Sequence, residues 1–288
     1  MPALRLRGRE VERDRALVMA IVNRTPDSFF DRGATFEPSR AIDAVARAID
    51  EGADIVDIGG VKAGTGDEVT VAEEISRTVP FIATVRERFP EVAISIDTWR
   101  AEVGDAAAQA GADLLNDTWA GVDPALGVVA ADHGCGYVCS HTGGVRPRTD
   151  PIRARYDDVV ADVIDETTAA AERLAGLGVP REGILIDPTH DFGKNTFHGL
   201  ELLRRTDELA ATGWPVLMAL SRKDFVGETL DLGVGDRLEG TLAATAIAAW
   251  KGAAVFRAHD IVATRRVLEM IATLRGERPV ARPRRGLA

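Results

Sequence analysis

Short apolar runs alternate along the chain with longer stretches whose apolar positions recur at helical spacing, the signature of repeated βα units around a parallel sheet. Eight runs predict strands at 17–23 (LVMAIVN), 53–58 (ADIVDI), 92–98 (VAISIDT), 113–117 (DLLND), 136–141 (GYVCSH), 183–188 (GILIDP), 215–220 (PVLMAL) and 254–259 (AVFRAH). Helices are expected near 39–50, 70–88, 100–110, 124–132, 157–176, 197–211, 236–250 and 260–275. Similar junctions precede four strands: DEGADIV, AQAGADLL, WKGAAVF and VPREGILI. In the first three a Gly just past a helix supplies the left-handed residue that ends it. Eight such units in 288 residues fit an α/β single-domain (β/α)8 TIM barrel spanning residues 1–288 better than an open doubly wound sheet. No linker or low-complexity run divides the chain, and the Pro- and Arg-rich tail 276–288 is expected to lie on the surface.

Composition narrows the function. The chain is 45% hydrophobic, and 35 Lys and Arg against 45 Asp and Glu give a net charge of −10. No basic field exists to hold nucleic acid or anionic lipid, so any anion must be bound by local groups. No signal peptide or membrane-spanning run is evident, and a cytoplasmic protein is expected. Two cysteines, Cys135 and Cys139, suit neither a disulfide framework nor an extracellular home. The run HGCGYVCSH can be drawn as a zinc cluster of His133, Cys135, Cys139 and His141, but it lacks the CxxC pairs and helical His spacing of structural sites.

In barrels of this kind the active site is built at the C-terminal ends of the strands. Nearly every predicted strand here ends in a residue able to bind or catalyse. In order these are Asn23, Asp57, Asp97, Asn116 with Asp117, His141, Asp187, Ser221 to Lys223, and Arg257 to His259. Taken singly, an Asp or Asn at such a junction caps the following helix. Four caps do not explain Lys223, Arg257 and His259 arriving on the same rim. Carboxylates beside an Asn suit a flat, nitrogen-rich heterocycle, while Lys, Arg and His suit phosphate oxygens, so the expected ligand is a phosphorylated heterocycle. Asp191 to Gly193 reads DFG without the rest of a kinase signature, and GxxxxGK[ST], GxSxG and HExxH are absent. Trp99 and Trp119 follow the third and fourth strands and suit core packing as well as stacking.

These residues resemble those of the dihydropteroate synthases. MAIVNRTPDSFFDRGATF is similar to the family's opening signature, and DIGG, SIDT, GADLLND, IDPTHDFGK, ALSRKDFVGE and FRAHD follow in the family's order. MAIVNRTPDSF, GGVKAG and DFGKNTFHGL carry a closer likeness to a diverged second paralogue of actinobacteria. The resemblance implies a (β/α)8 barrel, usually a homodimer, joining a dihydropterin methyl pyrophosphate to p-aminobenzoate in folate biosynthesis. It also implies that Asp57, Asp97, Asn116, Asp187 and Lys223 form the pterin site, with Asp187 and Lys223 catalytic. Asn23, Arg257 and His259 would hold the pyrophosphate, Asn23 through Mg2+, and Ser221, Arg222 and Lys62 would remain from the second-substrate pocket.

The sequence departs from that family where the second substrate binds. After DIGG, active members carry Glu-Ser-(Thr or Ser)-Arg-Pro-Gly, whereas this chain reads Val61, Lys62, Ala63, Gly64, Thr65, Gly66. Hydroxyl, guanidinium and proline stiffening are missing from the matched positions, and Lys62 is no bidentate fork. Arg24 and Phe30 replace smaller residues in the first loop and are expected to alter or block the second-substrate entrance. Thr189 and Asp191 stand where small glycines are usual, with Asp191 a second carboxylate near the pterin edge. The expectation is a homologue that binds a pterin or related ligand with little or no synthase activity. The alternative is a working transferase accepting p-aminobenzoate or another amine. A pterin-binding methyltransferase domain ranks below both, because no corrinoid-binding region is present.

Overall fold

The computed structural model describes residues 4–11, 14–25, 38–62, 64, 66–149 and 155–285. Eight parallel strands carry the apolar runs: β1 (Leu17–Asn23), β2 (Ile55–Gly59), β3 (Ala93–Asp97), β4 (Leu114–Asp117), β5 (Gly136–Ser140), β6 (Ile184–Asp187), β7 (Leu217–Met218) and β8 (Val255–Ala258). Each pairs with its sequence neighbours from β1 to β6, and β8 pairs with both β1 and β7. A parallel bridge between Ile186 and Val216 joins β6 to the β7 segment and closes the barrel.

Between the strands run α1 (Pro38–Asp50), α2 (Val71–Arg88), α3 (Ala101–Ala110), α4 (Ala125–His133), α5 (Val159–Leu177), α6 (Thr196–Arg204), α7 (Thr206–Ala211), α8 (Asp224–Leu230), α9 (Leu238–Trp250) and α10 (Ile261–Leu274). Among the described residues no helix is long and apolar enough to cross a membrane.

The two-residue period of a strand divides the interior in two. Val18, Val56, Ile94, Leu115, Ile186 and Phe256 belong to the larger core, shared with the apolar stripes of the helices. Their alternates Leu17, Met19, Ile55, Leu114, Val138, Leu185, Leu217 and Val255 form a second cluster that fills the barrel. Continuing the alternation toward the strand C-termini brings in Asp57, Ser95, Asp97, Asn116, Asp187 and Arg257. A layer of polar groups therefore lies on a buried aliphatic base.

Leu4 and Leu6 complete the inner cluster from an N-terminal hairpin pairing Arg5–Leu6 with Arg9–Glu10. Its turn holds Arg7 and Gly8 at φ 48 and 76, the double left-handed turn that two-residue hairpins favour. Two-residue strands are too short to show a periodicity, which is why this plug is not legible in the sequence.

Three further differences have local causes. The run at 215–220 yields only Leu217–Met218 as strand, because Pro215 has no N–H for the ladder and contributes its carbonyl to Ile186 N at 3.0 Å instead. The stretch expected as one helix at 197–211 breaks at Arg205 (φ −114, ψ 24) into α6 and α7. Helix α8 was not expected, since seven residues ending on left-handed Asp231 show barely two turns of pattern. At the predicted junctions, Gly52, Gly111 and Gly252 have φ of 97, 113 and 105, as the turn into a strand requires.

Candidate active site

A pocket of about 420 Å³ opens at the C-terminal ends of the strands, lined from almost every βα unit. Asn23, Lys62, Asp97, Asp187, Ser221, Arg222, Lys223, Arg257 and His259 all reach it, so most of the expected site residues converge. Asp57 and Asn116 do not line it, being 0% and 1% exposed. They lie beneath the floor.

Asp57 Oδ1 accepts from Ser95 Oγ at 2.6 Å, and Asn116 Nδ2 donates to both Asp57 oxygens at 3.3 Å. Arg257 sits above them, donating from Nε to Asp57 Oδ2 at 2.6 Å and from Nη2 to Asp97 Oδ2 at 3.0 Å. Thr118 Oγ1 donates to the other Asp97 oxygen at 3.2 Å. Burial pushes the Asp97 carboxyl up to about 7 against the pull of Arg257, and neighbouring Asp57 adds to the rise. The two carboxylates compensate burial of the guanidinium and hold it charged. Asn116 Oδ1 is buried with no hydrogen-bond partner.

The end of β6 adds a second acidic wall. Asp187 Oδ1 accepts from Thr189 N at 2.7 Å, in a turn where Thr189 takes the left-handed φ of 49. Burial raises the Asp187 and Asp191 carboxyls, and in both cases the Lys223 ammonium opposes it. Lys223 Nζ lies 5.8 Å from the Phe192 ring centroid, and Phe192 packs edge-on against Trp119 at 4.7 Å. Thr189, Asp191, Phe192 and Trp119 all line the pocket, which is where the structure places the departures around Asp187. Trp99 is not among the lining residues and stacks edge-on to Trp119 at 6.1 Å, with Arg100 over its ring.

Just past the neighbouring strands β7 and β8, Ser221 Oγ and His259 Nδ1 are 2.9 Å apart, and His259 N donates to the same hydroxyl at 3.3 Å. Burial and the Arg257 charge push His259 down to about 4, so it is a neutral hydrogen-bonding group near pH 7. Arg222 lines the pocket, yet its guanidinium is turned to Asp260 (2.9 and 3.1 Å) and to the carbonyls of Val234 and Gly235. Its charge serves the fold at the start of α10.

The loop after β2 forms another wall with Val61, Lys62 and Gly64, facing Val145 and Thr149 from the loop after β5. Arg148 fastens the two loops together: its guanidinium donates to the carbonyls of Lys62 at 2.8 Å, Gly64 at 3.1 Å and Asp67 at 2.5 Å. No pattern in the sequence marks Arg148, because its partners are backbone atoms more than 80 positions away.

Two expectations, for Arg24 and Asp117, are corrected here. Arg24 does not enter the pocket: it is 7% exposed, lies over Phe81 at 4.8 Å and donates to the Arg77 carbonyl in α2. Phe30, Ala63 and Thr65 fall outside the described residues. Asp117 faces away from the barrel interior, tying the loop after β4 through Trp119 N (2.9 Å) and Gly121 N (2.6 Å) and accepting from Tyr137 Oη (2.8 Å). The four residues of the HGCGYVCSH run do not converge, since His133 pairs with Asp105 while His141 turns to Asp162, and both thiols are buried in the outer core.

The comparisons with known proteins agree with this geometry. The sequence profile described as pterin binding enzyme matches residues 19–259. A Mycobacterium leprae protein named inactive dihydropteroate synthase 2 is 62% identical over 285 residues, covering 98% of both chains. A solved Mycobacterium tuberculosis structure is 51% identical, with TM-score 0.76 over 96% of this chain and 99% of its own. The Xanthomonas albilineans dihydropteroate synthase solved with 4-aminobenzoic acid is 35% identical, with TM-score 0.86 over 98% and 99% of the two chains. Profile, relatives and barrel agree, and the chain belongs to the pterin binding enzyme family as a homologue of dihydropteroate synthase.

Proposed function

We propose that this chain is a diverged dihydropteroate synthase homologue that keeps a pterin floor, has lost its second-substrate wall, and has little or no synthase activity. The carrying observation is the wall of Val61, Lys62 and Gly64, sewn by Arg148 through three carbonyl oxygens. It faces the pocket where a synthase presents a hydroxyl and an arginine. The name of the Mycobacterium leprae relative supports the same reading.

In this reading the carboxylates of Asp97 and Asp187 accept from the amino and ring N–H groups of a pterin, and Lys223 donates to its acceptors. Asp57 and Asn116 act one layer below, holding Arg257 in place as the floor. Arg257, His259 and Asn23 face the diphosphate end. If the pocket still turned over, departure of diphosphate would build negative charge beside Arg257 and positive charge on the exocyclic carbon. Asp187 would stabilise the latter through the pterin ring.

Mg2+ takes oxygen ligands, keeps several waters and binds through few protein groups plus substrate phosphates. The residues present suit that demand: a Cβ on Gly59 would make ordinary contacts with Asp97 Cβ at 3.6 Å, Asp97 Oδ2 at 3.9 Å and Asn23 Oδ1 at 4.0 Å, which puts both oxygens beside the same gap. Asn23 would hold the ion there, where it would neutralise diphosphate charge.

The chain acts as a cytoplasmic homodimer in this proposal. Helices α9 and α10 leave Ile247, Trp250, Met270 and Leu274 between 52% and 59% exposed, an apolar face that a second copy would cover. Arg275 Nη1 donates to the Trp250 carbonyl at 2.6 Å and so brings the two helix ends together.

A second reading, a transferase with another amine as acceptor, is favoured by Lys62, a cation on the rebuilt wall. Calorimetric titration with the pterin diphosphate and Mg2+, with and without a p-aminobenzoate analogue, separates the two. Pterin binding without a second-ligand site, and no product, is the expected result. Dihydropteroate formation at ordinary family rates would overturn the proposal.

A further inference from the structure

We propose that His141, Asp162 and Glu166 form a second ligand site, for a divalent first-row transition ion such as Zn2+, on the outer flank of the barrel. His141 follows β5, and the two carboxylates stand one turn apart on α5. His141 Nε2 lies 2.7 Å from Asp162 Oδ1 and 3.4 Å from Glu166 Oε2, and the three potential ligand atoms all fall within 4.8 Å of one another. Bonds of about 2.0–2.2 Å from imidazole nitrogen and carboxylate oxygen to one ion require that proximity.

The arrangement is poorly explained as a simple ion pair. Nε2 carries at most one proton, yet two carboxylates converge on it. Like charges four residues apart on a helix repel. The imidazole is 0% exposed, and Nε2 is the ring nitrogen it presents to both carboxylates. Asp162 and Glu166 are 43% and 59% exposed, which leaves an open side for entry and for water ligands.

The nearby cation does not occupy this place. Lys194 Nζ donates to the carbonyl oxygens of His141 (2.8 Å), Phe192 (3.0 Å) and Thr189 (3.4 Å), near enough for its charge to act on His141 and Glu166. That ammonium also fixes His141, since the imidazole is carried on a backbone whose carbonyl is held. One histidine and two carboxylates suit Zn2+, Co2+ or Mn2+ and leave positions for solvent. Phe192 and Thr189 line the pocket, so the same lysine links this flank to the ligand-binding loop.

The test is titration of metal-free protein with Zn2+ and Co2+, read by calorimetry and by the visible absorption of bound Co2+. One ion per chain is expected. The Asp162→Asn/Glu166→Gln double variant, altered only at exposed positions, is expected to bind at least about tenfold more weakly and to give a different Co2+ spectrum. The pocket variant Asp97→Asn is expected to bind as the parent does. Absence of stoichiometric binding, equal affinity in the double variant, or loss of binding on changing Asp97 would each overturn the assignment.

Discussion

Arg257 donates its Nε–H to Asp57 at 2.6 Å, joining residues 200 positions apart inside the barrel. Asp57 has 0% side-chain exposure and Arg257 19%, so the pair is shielded from water and each partner depends on the other. Removing Asp57 leaves the buried guanidinium with Asp97 alone and strips Ser95 and Asn116 of their acceptor. Asp57→Ala is therefore expected to lose about 3 kcal/mol of stability, measured as a lower urea midpoint. On the proposed function, affinity for the pterin diphosphate should fall as well, because Arg257 loses the shorter of its two carboxylate anchors. A variant that unfolds like the parent would show that the pair contributes nothing net.

Asp97 makes a prediction about pH. Its folded-state carboxyl is raised to about 7 from an ordinary 3.8, chiefly by burial. The folded state therefore binds more protons than the unfolded state between those values. Stability linked to the protonated form is present below about 4 and is lost as pH rises through about 7. The difference in unfolding free energy between the parent and Asp97→Asn should move in the variant's favour by roughly 2–4 kcal/mol between about pH 5 and pH 8. Denaturant unfolding at both pH values reads this, and a flat difference would contradict it.

The loop after β2 is expected to be a fixed wall as long as Arg148 holds it. Gly66 has φ 154, and a Cβ there would collide with the Arg148 guanidinium. Gly66→Ala and Arg148→Ala should both release the loop. Amide exchange at residues 61, 62, 64 and 66–68 should rise at least about tenfold in each, with global stability changed by no more than about 1 kcal/mol. Unchanged exchange in Arg148→Ala would show that other contacts hold the loop.

The apolar face on α9 and α10 tests the assembly. Trp250→Glu places a charge at a position 53% exposed in the single chain. Its effect on folding should be small, within about 0.5 kcal/mol, while a dimer would be weakened severely. Sedimentation is expected to show a dimer for the parent and a monomer for the variant at micromolar concentration. A monomeric parent would remove homodimerisation from the proposed function.

Much of this site was legible because a barrel converts sequence position into spatial position. Asn23, Asp97, Asp187, Lys223, Arg257 and His259 could be gathered on paper, since each ends or follows an apolar run. Depth was not legible. Asp57 and Asp97 look alike at their strand ends, yet one lies beneath Arg257 and the other beside it. Direction was equally hidden for Arg24, which follows Asn23 but lies over α2, because neighbouring residues leave a strand on opposite faces.

The order of apolar runs and the polar residue closing each of them determined a (β/α)8 barrel with one rim, since local periodicity alone dictates which faces must be buried. The same text identified the rebuilt stretch from Val61 to Gly66 as the place where the family's pattern fails. Only the tertiary structure decided which rim groups line the pocket and which lie beneath it. It alone showed the wall fastened by Arg148 and the His141 imidazole delivered to α5. Those outcomes depend on contacts between segments far apart in the chain, set by barrel closure and by the depth of each side chain within it.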